Sequence, residues 1–462
     1  MLDLEGTLSV LHPILQVKIG VFKEIIKGIY SISSGGVTMK NISRWTGEGC
    51  SYRSIQRFFA SPHDWLAMNL LLLRTVILGI PDSNRYVLAV DEVVEKKSGK
   101  WTWGVNWFYS SIAGCPIRSV SNHVISLLDT QKEHSFVLTH QQTTKESSPP
   151  QRTKKKRKKK QSKKGKATSN GQKKNSQKKK GGRPKGSKNK QNIKQQGLLY
   201  EGFEALLKLV VPLLLVICPD LKYVIGDGAY GNKTCCLIAR EVSLELISKL
   251  NRNTGLYLPY QGEYSGRGRP RKYGDKLDYQ KLPEQYLVST HIEKGIQTDV
   301  YQVAGVWTKT MPYLINVVII IKTILESGKR ARVVLFSTDL TLNAEQIIKL
   351  YALRFQIEFN FRDAKQYFGL ADFKNIKQQQ VQNAVGLAFF MDNISLILIE
   401  QAKQIWKEDH ISIQDLKAYY RAEKYLEAIL NTLEIDPQPI LNHHQFDPIR
   451  TIGAINRAKA AA

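Results

Sequence analysis

The sequence predicts an α/β protein: a mixed sheet flanked by helices, with a helical N-terminal region, a β-rich insertion and a helical C-terminal region. Three observations predict it. Two short apolar runs, 86–90 and 221–226, read as buried central strands, and each is followed at once by an aspartate, Asp91 and Asp227. Helical patterning fills residues 1–80 and returns from Asn343 to the end. Between 256 and 335 it gives way to Gly, Pro and β-rich stretches. A chain of 462 residues has room for two or three domains and a sizeable core.

Residues 1–80 read as a helical DNA-binding domain. Segments 38–45 and 51–59 flank Gly47 and Gly49 as two short amphipathic helices would. As a helix-turn-helix, the second would offer Arg53, Gln56 and Arg57 to a groove. A plain helical hairpin fits the same pattern. Residues 85–255 read as the first part of the α/β domain, with further strands expected at 101–111, 124–128 and 135–139 and a helix at 201–215. The β-rich insertion, 256–335, holds strand candidates at 286–289, 300–307 and 314–321. Residues 336–375 complete the α/β domain, and 376–462 form the helical C-terminal region.

Charge narrows the partners. Lys and Arg total 68 against 40 Asp and Glu, a formal net charge of +28. The span 152–190 carries 20 basic and no acidic residues, so the rest of the chain has 48 against 40, or +8. This low-complexity tract can bury almost nothing, and the insertion at 150–195 is expected to be disordered. A solvated loop and a phosphate-binding segment both fit. Dense Lys displaces condensed counterions from DNA and gives salt-sensitive, sequence-independent affinity. Gly182-Arg183-Pro184 and Arg267-Gly268-Arg269-Pro270 look like minor-groove hooks, and each fits an ordinary basic loop equally well.

Five cysteines form no CxxC pair, which argues against a disulfide scaffold and a cysteine zinc site. Residues 1–20 do not read as a signal peptide, and the longest unbroken apolar runs are too short for a bilayer. The expectation is a soluble, intracellular protein that does not use a membrane.

The carboxylates carry the chemistry. An aspartate just past an apolar strand lies at a sheet edge, where ligands of α/β sheets gather. Taken alone, each reads equally as a turn residue. The helical stretch 351–365 adds a third group. At about 100° per residue, Tyr351, Arg354, Glu358 and Lys365 fall within an arc of about 60°. Leu353, Ile357, Phe361, Ala364 and Phe368 occupy the adjacent core-facing arc. Polar groups aligned beside a core face are costly to bury unless they meet a ligand, although a surface ion-pair ladder is the plainer alternative. Three carboxylates on separate elements could hold two Mg²⁺ ions about 4 Å apart, with Mn²⁺ as a substitute, an arrangement suited to phosphodiester chemistry.

Tyr351, Arg354, Glu358 and Lys365 match, spacing for spacing, a signature of the DDE transposases of insertion-sequence family four, which this chain resembles over about residues 85–370. Asp91 resembles the first catalytic aspartate of that family and Asp227, in Asp227-Gly228-Ala229-Tyr230, the second. The gaps of 136 and 131 positions between the three carboxylates also suit it. Two features depart from the family pattern: Glu92 and Val93 follow Asp91 where an Asp and a Thr are common, and the Lys-rich insertion is not general.

The resemblance implies an RNase H-like catalytic core and cut-and-paste transposition through a hairpin intermediate. Asp91, Asp227 and Glu358 would then be metal ligands. Tyr351, Arg354 and Lys365 would grip DNA near the cut. Trp307, the only Trp between Asp227 and Glu358, would stack a flipped base, a place that a sheet-core role fits as well. Partners would be double-stranded DNA, as terminal inverted repeats and target, and a second copy in the DNA complex. The site of action would be the prokaryotic cytoplasm, on the nucleoid. A DNA-binding protein that no longer cuts, and a nuclease without strand transfer, are the alternative readings.

Overall fold

The computed structural model describes residues 2–458 apart from 16, 48, 77–84, 100, 146–189, 265, 267 and 442, and it leaves the side chains of 190–196 and 444 aside. The basic tract up to 189, with Arg183, and Arg267 therefore lie outside the described residues.

The N-terminal region is helical: α1 (Leu4–Ser9), α2 (Ile19–Ser31), α3 (Met39–Ile42), α4 (Tyr52–Ala60) and α5 (Trp65–Val76). Side-chain oxygens of Thr38 and Ser51 cap α3 and α4 by accepting from the N–H of Asn41 and Ser54. Ile55, Phe58 and Phe59 turn inward from α4, which leaves Arg53 and Arg57 exposed.

Four strands follow, β1 (Tyr86–Lys96), β2 (Asn106–Ser110), β3 (Cys115–Asp129) and β4 (His134–Thr143), and then α6 (Lys190–Leu214). The last of these begins inside the stretch expected to be disordered. Next come β5 (Tyr223–Gly226), α7 (Lys233–Glu241) and β6 (Glu245–Leu250). The apolar run 86–90 was expected to end its strand at Asp91, but β1 continues five residues further, to Lys96. Antiparallel β3 pairs with β1 along its whole length, whereas parallel β5 pairs only with Leu88, Ala89 and Val90. On the β5 side, Asp91 is thus the first residue without a strand partner.

The β-rich stretch comprises β7 (Leu256–Pro259), β8 (Tyr273–Lys276), β9 (Leu287–Glu293), β10 (Ile296–Thr308), β11 (Ile315–Ile324) and β12 (Arg330–Ser337). It continues the same sheet, because β12 pairs antiparallel with β6. The resulting order is β2-β3-β1-β5-β6-β12-β11-β10-β7-β8, with β4 on β3 and β9 on β10.

The chain finishes with α8 (Ala344–Leu353), α9 (Gln356–Gln366), α10 (Gln378–Trp406), α11 (Ile413–Thr432), α12 (Pro437–Leu441) and α13 (Asp447–Arg450). Helix α10 packs on α4, α5, α9 and β4, and α11 packs on α2, so both chain ends share one apolar core running from Leu2 to Ala458. By length and composition α10 could cross a membrane, contrary to the expectation from unbroken apolar runs, but most of it is buried inside the protein. Its polar Asn383, Asp392 and Asn393 are buried too, and each is hydrogen-bonded. These are the marks of a core helix.

Candidate active site

Register brings the two aspartates together. Val90 of β1 is the partner of Gly226 of β5, and the next step along both strands reaches Asp91 and Asp227. Neighbouring strands are about 4.8 Å apart, so these carboxylates leave the sheet side by side. The loop after β5 is held tightly: Asp227 Oδ1 accepts from the N–H of Ala229 at 2.9 Å, and its carbonyl accepts from Ser248 Oγ at 2.6 Å. Gly231 is required here, since a Cβ would lie 2.3 Å from the Lys249 carbonyl oxygen.

The expected single helix over 351–365 is two helices meeting at Arg354 and Phe355. Across the junction hydrogen bonds tighten to the three-residue step: Arg354 N–H to Tyr351, Phe355 to Ala352, Ile357 to Arg354 and Glu358 to Phe355. The apolar stripe survives the junction, with Leu353, Ile357, Phe361, Ala364 and Phe368 all buried. Helix α9 therefore lies against β1 and turns its polar edge toward Asp91.

Arg354 joins the elements. Its Nη1 donates to Asp91 Oδ2 at 2.9 Å and its Nη2 to Glu358 Oε1 at 2.8 Å. About two turns past Glu358 along α9, Lys365 Nζ pairs with Glu95 at 2.6 Å. Asp91 and Glu95 lie four residues apart on one face of β1, and Glu358 and Lys365 seven apart on one face of α9. Two charged rungs thus connect strand and helix. Tyr351 is half-buried, with its ring centroid 6.0 Å from the Arg354 guanidinium carbon.

Electrostatics mark Asp91. Burial pushes its carboxyl up to about 7; the neighbouring Asp227 adds to this, Arg354 opposes it, and Glu358 adds a smaller push. Tyr230 is wholly buried behind the aspartates, and burial, reinforced by Asp91, Glu92 and Asp227, raises its phenol well above the usual range. Hard carboxylate oxygens from three elements are the donor set that Mg²⁺ or Mn²⁺ takes. Among the described residues no group of three His, Cys, Asp or Glu stands ready to hold a metal ion. The Arg354 guanidinium pairs with both Asp91 and Glu358. The donors fit the ion in kind, and a positive charge already sits among them.

The other expected site residues lie apart. Trp307 is on β10, five strands from β1, with Lys272 Nζ 3.2 Å over its ring and Tyr273 edge-on at 6.4 Å. None of its described contacts is with the carboxylates. Arg269 is exposed in the segment between β7 and β8, and Arg53 and Arg57 are exposed on α4. Glu92, where the resembled family often has Asp, points to the opposite face of β1 from Asp91 and accepts a hydrogen bond from Ser121.

Sequence reading missed the supports. Glu95 is buried beside Lys365, and Lys97 Nζ donates to the carbonyls of Leu370, Ala371 and Phe373, fastening the end of β1 to the segment after α9. Both sit in a Glu-Lys-Lys string that looks solvated, and only the two-residue alternation with Asp91 hints otherwise. Asn360, buried on α9, lies at about 180° on the helical projection, at the margin of the core arc, a signal that was there to be read.

Two family models match the chain. Residues 30–303 match the family described as DDE superfamily endonuclease, a span holding Asp91 and Asp227. Residues 308–403 match the archaeal ISC1217-like transposase domain, a span holding Arg354, Glu358 and Lys365. No curated protein matches the chain. With more than half of its length inside the first match, this chain belongs to the DDE superfamily endonucleases.

Proposed function

We propose that the protein is a cut-and-paste DNA transposase of the type its Tyr-Arg-Glu-Lys spacing resembles. It would bind the ends of an insertion sequence, cleave phosphodiester bonds and join the freed 3′-hydroxyls to target DNA. The observation that carries this reading is that Arg354 bridges Asp91 of β1 and Glu358 of α9, while Asp227 follows β5 next to Asp91 in the β1–β5 register. The order β4-β3-β1-β5-β6, antiparallel through β1 and parallel beyond it, supports an RNase H-like core. Strands β7–β12 between Asp227 and Glu358 then correspond to the β-rich insertion.

In this scheme Asp91, Asp227 and Glu358 hold the divalent ions, which supply activation of the attacking oxygen and charge stabilisation at the leaving oxygen. The chain's own side chains position the DNA. Arg354 and Lys365 offer a bidentate and a point-charge contact to phosphates, Tyr351 beside Arg354 grips the DNA near the cut with them, and Trp307 offers a stacking face in the insertion. Arg53 and Arg57 on α4, with Arg183, Arg267 and Arg269, extend the contact along the duplex. A homodimer holding two ends meets the geometric need of strand exchange.

Replacing Glu358 by Gln tests the reading. Metal-dependent cleavage of DNA carrying the element's ends should vanish while DNA binding persists. A variant that still cuts at the wild-type rate would remove Glu358 from the site. Wild-type protein that nicks but never joins would reduce the activity to that of a nuclease.

A further inference from the structure

The charge among the carboxylates belongs to the chain itself. Arg354 reaches two of the three proposed ligands at once, Asp91 at 2.9 Å and Glu358 at 2.8 Å. Its own side chain is only 14% exposed. Three features argue that this is one of two positions. First, Arg354 Nε is buried without a hydrogen-bond partner among the described residues, so this burial leaves a donor of the guanidinium unmet. Second, Arg354 stands at the junction of α8 and α9, where the hydrogen-bond step changes, a place where a helix can shift at small cost. Third, Lys365, the other cation on the polar edge of α9 that holds Arg354 and Glu358, is likewise paired with a buried carboxylate, Glu95. Strand β1 thus supplies a carboxylate partner to each of these two cations.

Resting on the transposase reading above, we propose that Arg354 is an internal counter-ion for the divalent-metal site: it fills the cation's place until a DNA phosphate draws it away. Metal and Arg354 compete for the oxygens of Asp91 and Glu358, while DNA and those oxygens compete for Arg354. The two ligands therefore help each other to bind, and the coupling is reciprocal. DNA loading and metal loading become one event. A chain that meets metal without DNA stays closed, which guards against cutting before an end is seated.

The test uses the full-length chain, Mn²⁺ alone as the probe, and calorimetric or paramagnetic-resonance titration. Without DNA, Arg354→Gln should bind Mn²⁺ about tenfold more tightly than wild type, a typical coupling magnitude. Arg354→Lys, which cannot bridge both carboxylates bidentately, should fall between the two. Mn²⁺ should raise the melting temperature of Arg354→Gln more than that of wild type, a readout that also reports whether the variant folds. In a second arm, Mn²⁺ should tighten wild-type binding to a DNA duplex in fluorescence anisotropy and leave that of Arg354→Gln unchanged. Equal or weaker Mn²⁺ binding by Arg354→Gln overturns the counter-ion role and leaves the metal site standing. Absence of Mn²⁺ binding in every variant, or binding unaffected by Asp91→Asn and Asp227→Asn, overturns the metal-site reading and the counter-ion with it.

Discussion

Asn360 donates to Asp392 at 2.7 Å inside the protein, two residues from Glu358. The same amide nitrogen donates to the Ser135 carbonyl at 3.1 Å, so one side chain ties α9 to both α10 and β4. The third carboxylate of the site is aimed by this buried clamp as well as by its own helix. Asn360→Ala strands two buried acceptors and should cost about 1–3 kcal/mol, measured by urea unfolding. Cleavage should fall further than the loss of folded protein explains, because α9 loses its anchor. A stable variant with full activity would count against the clamp.

Asp392 gives a pH signature. It is fully buried, and burial, with Asp363 nearby, raises its carboxyl well above the ordinary range. The folded chain therefore keeps a proton that the unfolded chain releases at a pH near 4. Above that point the unfolded state binds fewer protons, so this group lowers stability as pH rises. Asp392→Asn should flatten the fall in stability between acid and neutral pH. An unchanged pH profile of melting temperature would show that Asp392 is already ionised.

The Asp91 carboxyl should respond to the charge of Asp227. Removing the negative charge with Asp227→Asn should move the Asp91 carboxyl, now pushed up to about 7, back toward the ordinary range. Carboxyl-carbon NMR with and without the substitution checks this directly. A titration curve of Asp91 that ignores the change would separate the two groups.

Gly231 and Gly228 should differ sharply. A Cβ on Gly231 would lie 2.3 Å from a backbone oxygen, whereas one on Gly228 would meet nothing nearer than 3.7 Å. Gly231→Ala must displace β6 or the Asp227 loop and should cost about 1–3 kcal/mol. Gly228→Ala should leave the unfolding midpoint nearly unchanged, and equal effects would refute the close approach.

The face around Trp307 should contribute electrostatics to DNA binding. Lys272 lies over Trp307, and Arg271 lies 4.8 Å from the Tyr260 ring centroid, so this end of the sheet interleaves basic and aromatic groups. Lys272→Ala should weaken duplex binding across sequences and lower the salt slope by about one. A wild-type slope would place this face away from DNA.

The sequence by itself singled out the candidate positions. An apolar strand core followed at once by a carboxylate is a local pattern, legible in the residue types alone, and it singled out Asp91 and Asp227. Helical spacing likewise grouped Arg354, Glu358 and Lys365 before any contact was known. Tertiary structure alone decided who neutralises whom. Arg354 pairing with Asp91, Lys365 held by Glu95, and Asn360 held by Asp392 join residues 32 to 270 positions apart. The continuation of β1 past Asp91 and the joining of β12 to β6 depend equally on partners distant in the chain. Periodicity records which face of an element avoids water. It holds no information on which distant element will cover that face, because that choice is made by packing and charge pairing summed over the whole fold.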